Sequence, residues 1–153
     1  MNYSYLFPPV FKKVGWVLFV IFAVMNVLWM TGDIEGILPT RKVFSIWPDD
    51  GRFIMTNDDW TDEICIVGMV LSLLFITFAQ LKQEDEFTIN LRMKSMAWAV
   101  KGYGLIIIAA TLFIYGTNWL YVILLSVYLV FFLFIIKFYY ELAKFRKEAS
   151  HEE

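Results

Sequence analysis

The longest stretch of the chain without a charged side chain runs from Gly102 to Ile136, interrupted only by Gly116-Thr117-Asn118. A helix needs about 20 apolar residues to cross the roughly 30 Å hydrocarbon core of a bilayer. This stretch is too long for one crossing and fits two. Two further uncharged runs lie upstream, over Val14–Gly32 and Ile64–Leu81. The sequence therefore predicts an all-α membrane protein with four transmembrane helices.

Composition supports this class. Hydrophobic residues make up 59% of the chain and the mean hydropathy is +0.62, whereas soluble domains contain about 45–50% apolar residues. We predict a single transmembrane domain over residues 1–153, with little room for a soluble domain. Its expected parts are helices over about 14–31, 62–80, 94–115 and 119–145, an outer loop over 32–61 and an inner bend over 82–93.

The distribution of basic residues predicts the orientation. Ten Lys and Arg residues lie in the N-terminal segment, in Lys82–Lys101 and in the tail, against three in the loop Asp33–Glu63. Short loops rich in Lys and Arg stay cytoplasmic. We therefore expect an N-in, C-in topology in a bacterial inner (cytoplasmic) membrane. Tryptophans favour the boundary level, and five fall near the expected helix ends: Trp16, Trp29, Trp60, Trp98 and Trp119.

The outer loop contains a pattern typical of a β-hairpin. Val43–Trp47 and Arg52–Thr56 are rich in β-branched and aromatic residues, and Pro48-Asp49-Asp50-Gly51 lies between them. A four-residue connection ending in Asp-Gly suits a type I turn followed by a glycine with positive φ. We predict a small extracytoplasmic hairpin here.

Acidic residues in the same loop form a candidate outer ligand surface. They are Asp49, Asp50, Asp58 and Asp59. Carboxylate clusters can bind Ca²⁺ or Mg²⁺, but the spacing does not match an EF-hand loop. Turn formation and capping of the second helix explain these residues better. We expect no metal and no cofactor.

The inner bend carries the second candidate site. Glu84, Asp85 and Glu86 are followed by Arg92 and Lys94. If the bend folds back on itself, a carboxylate pairs with Arg92 or Lys94; alternatively, the charges dock a cytoplasmic protein. Two apolar sets at helical spacing accompany them: Phe87, Leu91 and Trp98, and Ile89, Met93 and Met96.

No catalytic constellation is visible, so we expect no enzymatic activity. His151 is the sole histidine and Cys65 the sole cysteine. No Asp, Glu or His lies at membrane depth, although proton-coupled transport commonly uses such a group. Asn26 and Ser72 are expected to form hydrogen bonds between helices.

Several motifs together resemble a group of small, uncharacterised four-helix integral membrane proteins of the Bacteroides type. They are Pro9-Val10-Phe11-Lys12-Lys13-Val14-Gly15-Trp16, Asn57-Asp58-Asp59-Trp60-Thr61-Asp62-Glu63-Ile64, Glu84-Asp85-Glu86-Phe87, Leu91-Arg92 and Trp98-Ala99-Val100. The last predicted helix matches in character only. The group has no assigned activity, so the resemblance implies no catalytic or ligand residue. It implies a gene beside a small helix-turn-helix regulator, and hence a membrane partner or sensor.

Two functions follow as hypotheses. The first is a non-enzymatic sensor or scaffold that lies in the lipid bilayer, partners a cytoplasmic protein and does not bind nucleic acid directly. The second is a small transporter or channel that works as a homo-oligomer. Its path would be lined by the polar residues of helices two and four: Ser72, Thr77, Gln80, Tyr121, Ser126 and Tyr128.

Overall fold

A computed structural model describes residues 6–32, 41–44, 55–58, 60–81, 85–116 and 118–149. The helices are α1 (Val10–Thr31), α2 (Thr61–Phe78), α3 (Glu86–Phe113) and α4 (Asn118–Ala149), and the strands are β1 (Arg41–Phe44) and β2 (Met55–Asp58). Each of the four helices is long and apolar enough to cross a membrane. The prediction of four such helices is confirmed.

The observed helix ends differ most from the predicted ones at α3. This helix begins inside the predicted bend 82–93, eight residues before the predicted start at 94. Asp85 caps α3 at that point, so the helix contains Glu86, Arg92 and Lys94 of the second candidate site. The break between α3 and α4 agrees with the sequence. Gly116 has φ +72°, a conformation that glycine adopts without steric cost.

The two strands pair antiparallel, with Val43 opposite Thr56 and Phe44 opposite Met55. Residues 45–54, which include the predicted turn 48–51, lie outside the described residues. The hairpin as a whole, and its position outside the cell, therefore stay predictions.

By its internal packing, the chain divides into two compact units. One comprises Met1–Gly15 with Leu73–Glu153, and the other comprises Trp16–Ser72. The boundaries fall within α1 and within α2.

In the unit Trp16–Ser72, small and polar residues hold α1 close to α2. Asn26 Nδ2 donates to the carbonyl of Cys65 at 3.1 Å, which confirms the predicted bond between helices. A Cβ built on Gly68 would lie 2.2 Å from Phe22 Cε1. Glycine at this position therefore permits the close approach that membrane helices commonly use. Ser72 Oγ instead donates within its own helix, to Met69 O at 2.7 Å.

In the other unit, α3 and α4 pack antiparallel around a core of Ala99, Phe134, Phe138 and Leu142. The buried stripe of α3 consists of Thr88, Arg92, Ser95 and Ala99, which follow a four-three-four spacing. Of the two apolar sets noted in the sequence, Phe87, Met93 and Trp98 are exposed. The small and polar stripe lets α3 lie close to its neighbours.

Candidate functional site

The charged parts of α3 and α4 extend beyond the uncharged stretch and lie side by side. α4 has 32 residues, or about 48 Å at 1.5 Å per residue, which exceeds the roughly 30 Å hydrocarbon core. The ring centroids of Phe87 and Phe145 are 4.1 Å apart, and Lys137 Nζ lies 5.5 Å from the ring centroid of Trp98. We call residues 86–101 with residues 137–149 the juxtamembrane helix pair.

Arg92 is buried where this helix pair meets the end of α2. Its Nη1 donates to Thr77 O at 2.6 Å and its Nη2 to Ala79 O at 3.3 Å. The guanidinium carbon lies 4.8 Å from the ring centroid of Phe138, and the residue is only 6% exposed. Because a guanidinium offers several fixed donors and a flat face for stacking, this one side chain joins α2, α3 and α4.

The last carbonyls of α2 are satisfied by groups from outside the helix. A helix leaves its final carbonyls without intrahelical partners, and α2 has no basic residue in its last turn. Arg92 binds the oxygens of Thr77 and Ala79, while the backbone N–H of Phe7 donates to Phe78 O at 2.9 Å. A positive charge at this end also complements the helix dipole. The N-terminal segment and α3 thus complete the end of α2.

Two hydroxyls lie beside this cluster. Thr77 Oγ1 and Ser95 Oγ are buried and have no hydrogen-bond partner within the described ranges. Removing a buried polar group that has no partner costs little free energy or is stabilising. Ser95, one turn after Arg92, therefore offers a matched control position for substitutions of Arg92.

Asp85 begins α3 as its N-cap. Its carboxylate accepts hydrogen bonds from the backbone N–H of Thr88 at 2.8 Å and from the Thr88 hydroxyl. The hydroxyl and then the N–H of Thr88 hold the pKa of Asp85 below that of an ordinary carboxyl group. Hydrogen bonds to the ionised form lower a pKa, so the cap is strongest when Asp85 is charged.

This cap predicts a pH dependence. Because the pKa of Asp85 is lower in the folded chain than in the unfolded one, its contribution to stability is present above about pH 4, the ordinary pKa of Asp. The contribution is lost as the pH falls through the depressed folded value. Asp85→Asn keeps a capping side chain and should flatten the decline in melting temperature as the pH falls below about 4. An Asn variant that declines as steeply as the natural chain would contradict the assignment.

The residues of the second candidate site have different surroundings. Glu86 and Lys94 are exposed, and Asp85 is exposed at the cap. Arg92 is buried, so it belongs to the packing beneath the surface rather than to a docking surface. Glu84 lies outside the described residues. The use of the exposed charges by a partner stays a prediction.

The first candidate site is only partly described. Asp49, Asp50 and Asp59 lie outside the described residues, and Asp58 is paired in register with Arg41 at the end of the strands. Among the residues that the structure describes, no group of three or more His, Cys, Asp or Glu side chains is placed to hold a metal ion. The outer ligand surface stays a prediction.

Two of the hydroxyls assigned to a transport path form bonds within their own helices. Ser72 Oγ donates to Met69 O at 2.7 Å, and Ser126 Oγ donates to Ile123 O at 2.6 Å. Both serines are buried. Serine commonly bonds back to a carbonyl three or four residues earlier in a helix, which explains both without a path.

Sequence reasoning missed two features of this site. The role of Arg92 was visible in the four-three-four spacing of Thr88, Arg92, Ser95 and Ala99, which marks one face of a helix. The hydrogen bond from the N–H of Phe7 to Phe78 O had a weaker signal in the sequence. The residues after Phe78 include no early glycine of the kind that commonly ends helices, so the end of α2 required partners from elsewhere.

Comparison with protein-family models, with curated proteins and with solved structures gives no match for this chain. The resemblance to the four-helix proteins of the Bacteroides type therefore stays a prediction.

Proposed function

We propose that the chain is a non-enzymatic scaffold or sensor of a bacterial inner membrane, with both termini inside, and that the juxtamembrane helix pair docks a cytoplasmic protein. The alternative, a small oligomeric transporter or channel, has no comparable structural support, since Ser72 and Ser126 bond within their own helices.

The observation that carries this proposal is the stacked pair of Phe87 and Phe145. Their side chains are 42% and 41% exposed. Phe145 follows the uncharged stretch by nine residues along α4, and Phe87 precedes it by fifteen residues along α3. Both aromatic rings therefore lie in the charged part of the helix pair, where exposed apolar surface commonly marks a protein contact.

The packing beneath this pair supports a rigid docking surface. Arg92 bonds to the end of α2 and stacks on Phe138, which holds α3 in place. Lys94 lies seven residues after Phe87 and therefore shares its side of α3, with Glu86 at the start of the helix. A partner with apolar residues ringed by charges of both signs fits this surface.

Photocrosslinking tests the proposal. A photoreactive side chain at Phe87 or Phe145 should capture one soluble protein in living cells, whereas the same group at Leu105 or Leu120 should capture only lipid. Leu105 and Leu120 are 69% and 65% exposed within the apolar parts of α3 and α4, so they control for exposure alone.

Substitution of the acidic residues tests their contribution to binding of the protein captured by crosslinking. Glu84→Gln, Asp85→Asn and Glu86→Gln together neutralise the acidic cluster while Asn keeps the cap of α3. Binding to the purified partner should weaken at least about tenfold, since close charge pairs contribute strongly to docking. Equal crosslinking from all four positions, or a stable homo-oligomer that conducts solute in liposomes without a partner, would favour the transport alternative.

A further inference from the structure

We propose that the chain binds the head group of an anionic phospholipid in a pocket between the start of α1, the end of α2 and the last turns of α4. The pocket belongs to the unit of Met1–Gly15 with Leu73–Glu153 and has a volume of about 510 Å³. That volume is within the range of ligand sites, about 300–1,000 Å³. This proposal rests on the membrane placement given above but not on a protein partner.

Three basic residues supply the charge of the pocket. Lys12, Lys13 and Arg146 contribute to its lining. Lys12 Nζ lies 4.5 Å from the ring centroid of Tyr139, which places its charge beside α4. Within the part of the chain that the structure describes, Lys13 and Arg146 form no ion pair. Both charges are therefore available to an anion.

The acidic residues of α4 do not compete for these charges. Glu141 Oε1 lies 2.7 Å from Lys137 Nζ, and Glu148 Oε1 lies 3.9 Å from Lys144 Nζ. Both pairs are one helical turn apart on α4 itself. The amino end of α1 adds the positive end of the helix dipole, while the N–H groups of Phe11 and Lys12 donate to Pro8 O and Pro9 O.

Apart from Gln80, the rest of the lining is apolar, which favours a lipid over a soluble phosphate. Pro9, Val10 and Leu81 line the pocket, and Val10 is 67% exposed. Lys13 directly precedes the uncharged run that begins at Val14, so the pocket lies at the boundary of the apolar span. Basic pockets between helices at this level bind phospholipid head groups. The phosphate would contact the three basic side chains, and the first acyl carbons would contact the apolar lining.

The test measures lipid binding to the full chain in a neutral detergent by native mass spectrometry, with phosphatidylglycerol and phosphatidylcholine as probes. The natural chain should bind phosphatidylglycerol at least about tenfold more tightly, because each basic residue near an anionic head group adds to the attraction. Lys12→Gln, Lys13→Gln and Arg146→Gln together should remove this preference.

A matched variant removes the same charge elsewhere. Arg52→Gln, Lys101→Gln and Lys147→Gln should keep the preference, and circular dichroism should show equal helix content in both variants. A second variant, Lys12→Arg with Lys13→Arg and Arg146→Lys, retains the charges and should bind as the natural chain does.

Three outcomes would overturn the proposal. The first is equal affinity for both lipids, and the second is an equal loss in both triple Gln variants, since that would reflect net charge alone. The third is full displacement of the lipid by millimolar inorganic phosphate, which would indicate a site for soluble phosphate. Any of these together with intact crosslinking from Phe87 would leave the proposed docking function in place.

Discussion

Arg92→Ala should lower the free energy of unfolding by about 2–4 kcal/mol, measured by denaturation in mixed detergent micelles. The substitution removes the donors to Thr77 O and Ala79 O and the stacking on Phe138. A buried acceptor left without its partner costs about 1–3 kcal/mol, and the lost contact of a cation with an aromatic ring adds about 0.5–2 kcal/mol. This is the largest single-residue effect that we expect.

Two variants separate the effect of the guanidinium group from the effect of changing a buried side chain. Arg92→Lys should recover part of the loss, because an ammonium carries the charge but lacks the planar set of donors. Ser95→Ala, at an equally buried site on the same face of α3, should change stability by less than about 1 kcal/mol. If Ser95→Ala is as damaging as Arg92→Ala, burial alone explains the effect and the proposed role of Arg92 is incorrect.

Gly68→Ala should destabilise the chain by about 1–3 kcal/mol, the usual cost of overpacking a close contact. The added methyl group would lie 2.2–2.5 Å from three ring carbons of Phe22, so the ring or the helices must move. The expected sign is opposite to the general preference of helices for alanine over glycine, which is about 1 kcal/mol.

Gly104→Ala is the matched control for this prediction. Gly104 also lies inside a helix, and a Cβ built there meets no atom within 4 Å. Alanine should therefore stabilise α3 by about 0.5–1 kcal/mol. The same sign for both substitutions would show that the contact between Gly68 and Phe22 does not limit the packing of α1 on α2.

The sequence was sufficient to predict the helices but not the way in which they bury their faces. The uncharged runs located all four helices, because the absence of charge over about 20 residues is a strong constraint. The buried stripe of α3 was not predicted, because Thr88, Arg92 and Ser95 are polar and the sequence was searched for apolar faces. The larger apolar side chains Phe87 and Trp98, which the spacing placed on one face, are exposed.

The second candidate site shows the same limit. The acidic and basic residues after position 82 were identified from charge alone, and Asp85 was assigned to an ion pair or a docking surface. Its bonds to Thr88 make it the cap of a longer α3. The role of Arg92 depends on the end of α2, which lies 13–15 residues earlier in the chain. Local patterns in a sequence do not specify which helix end an arginine reaches.

Cysteine accessibility tests the central claim, a chain that crosses the bilayer four times with both ends inside, most directly. Cys65 is first replaced by alanine, since it is the sole cysteine, and Asp50→Cys or Lys144→Cys is then introduced. A membrane-impermeant maleimide applied to intact cells should label position 50, and position 144 only after the membrane is opened. Labelling of position 144 in intact cells, or protection of position 50, would contradict the account.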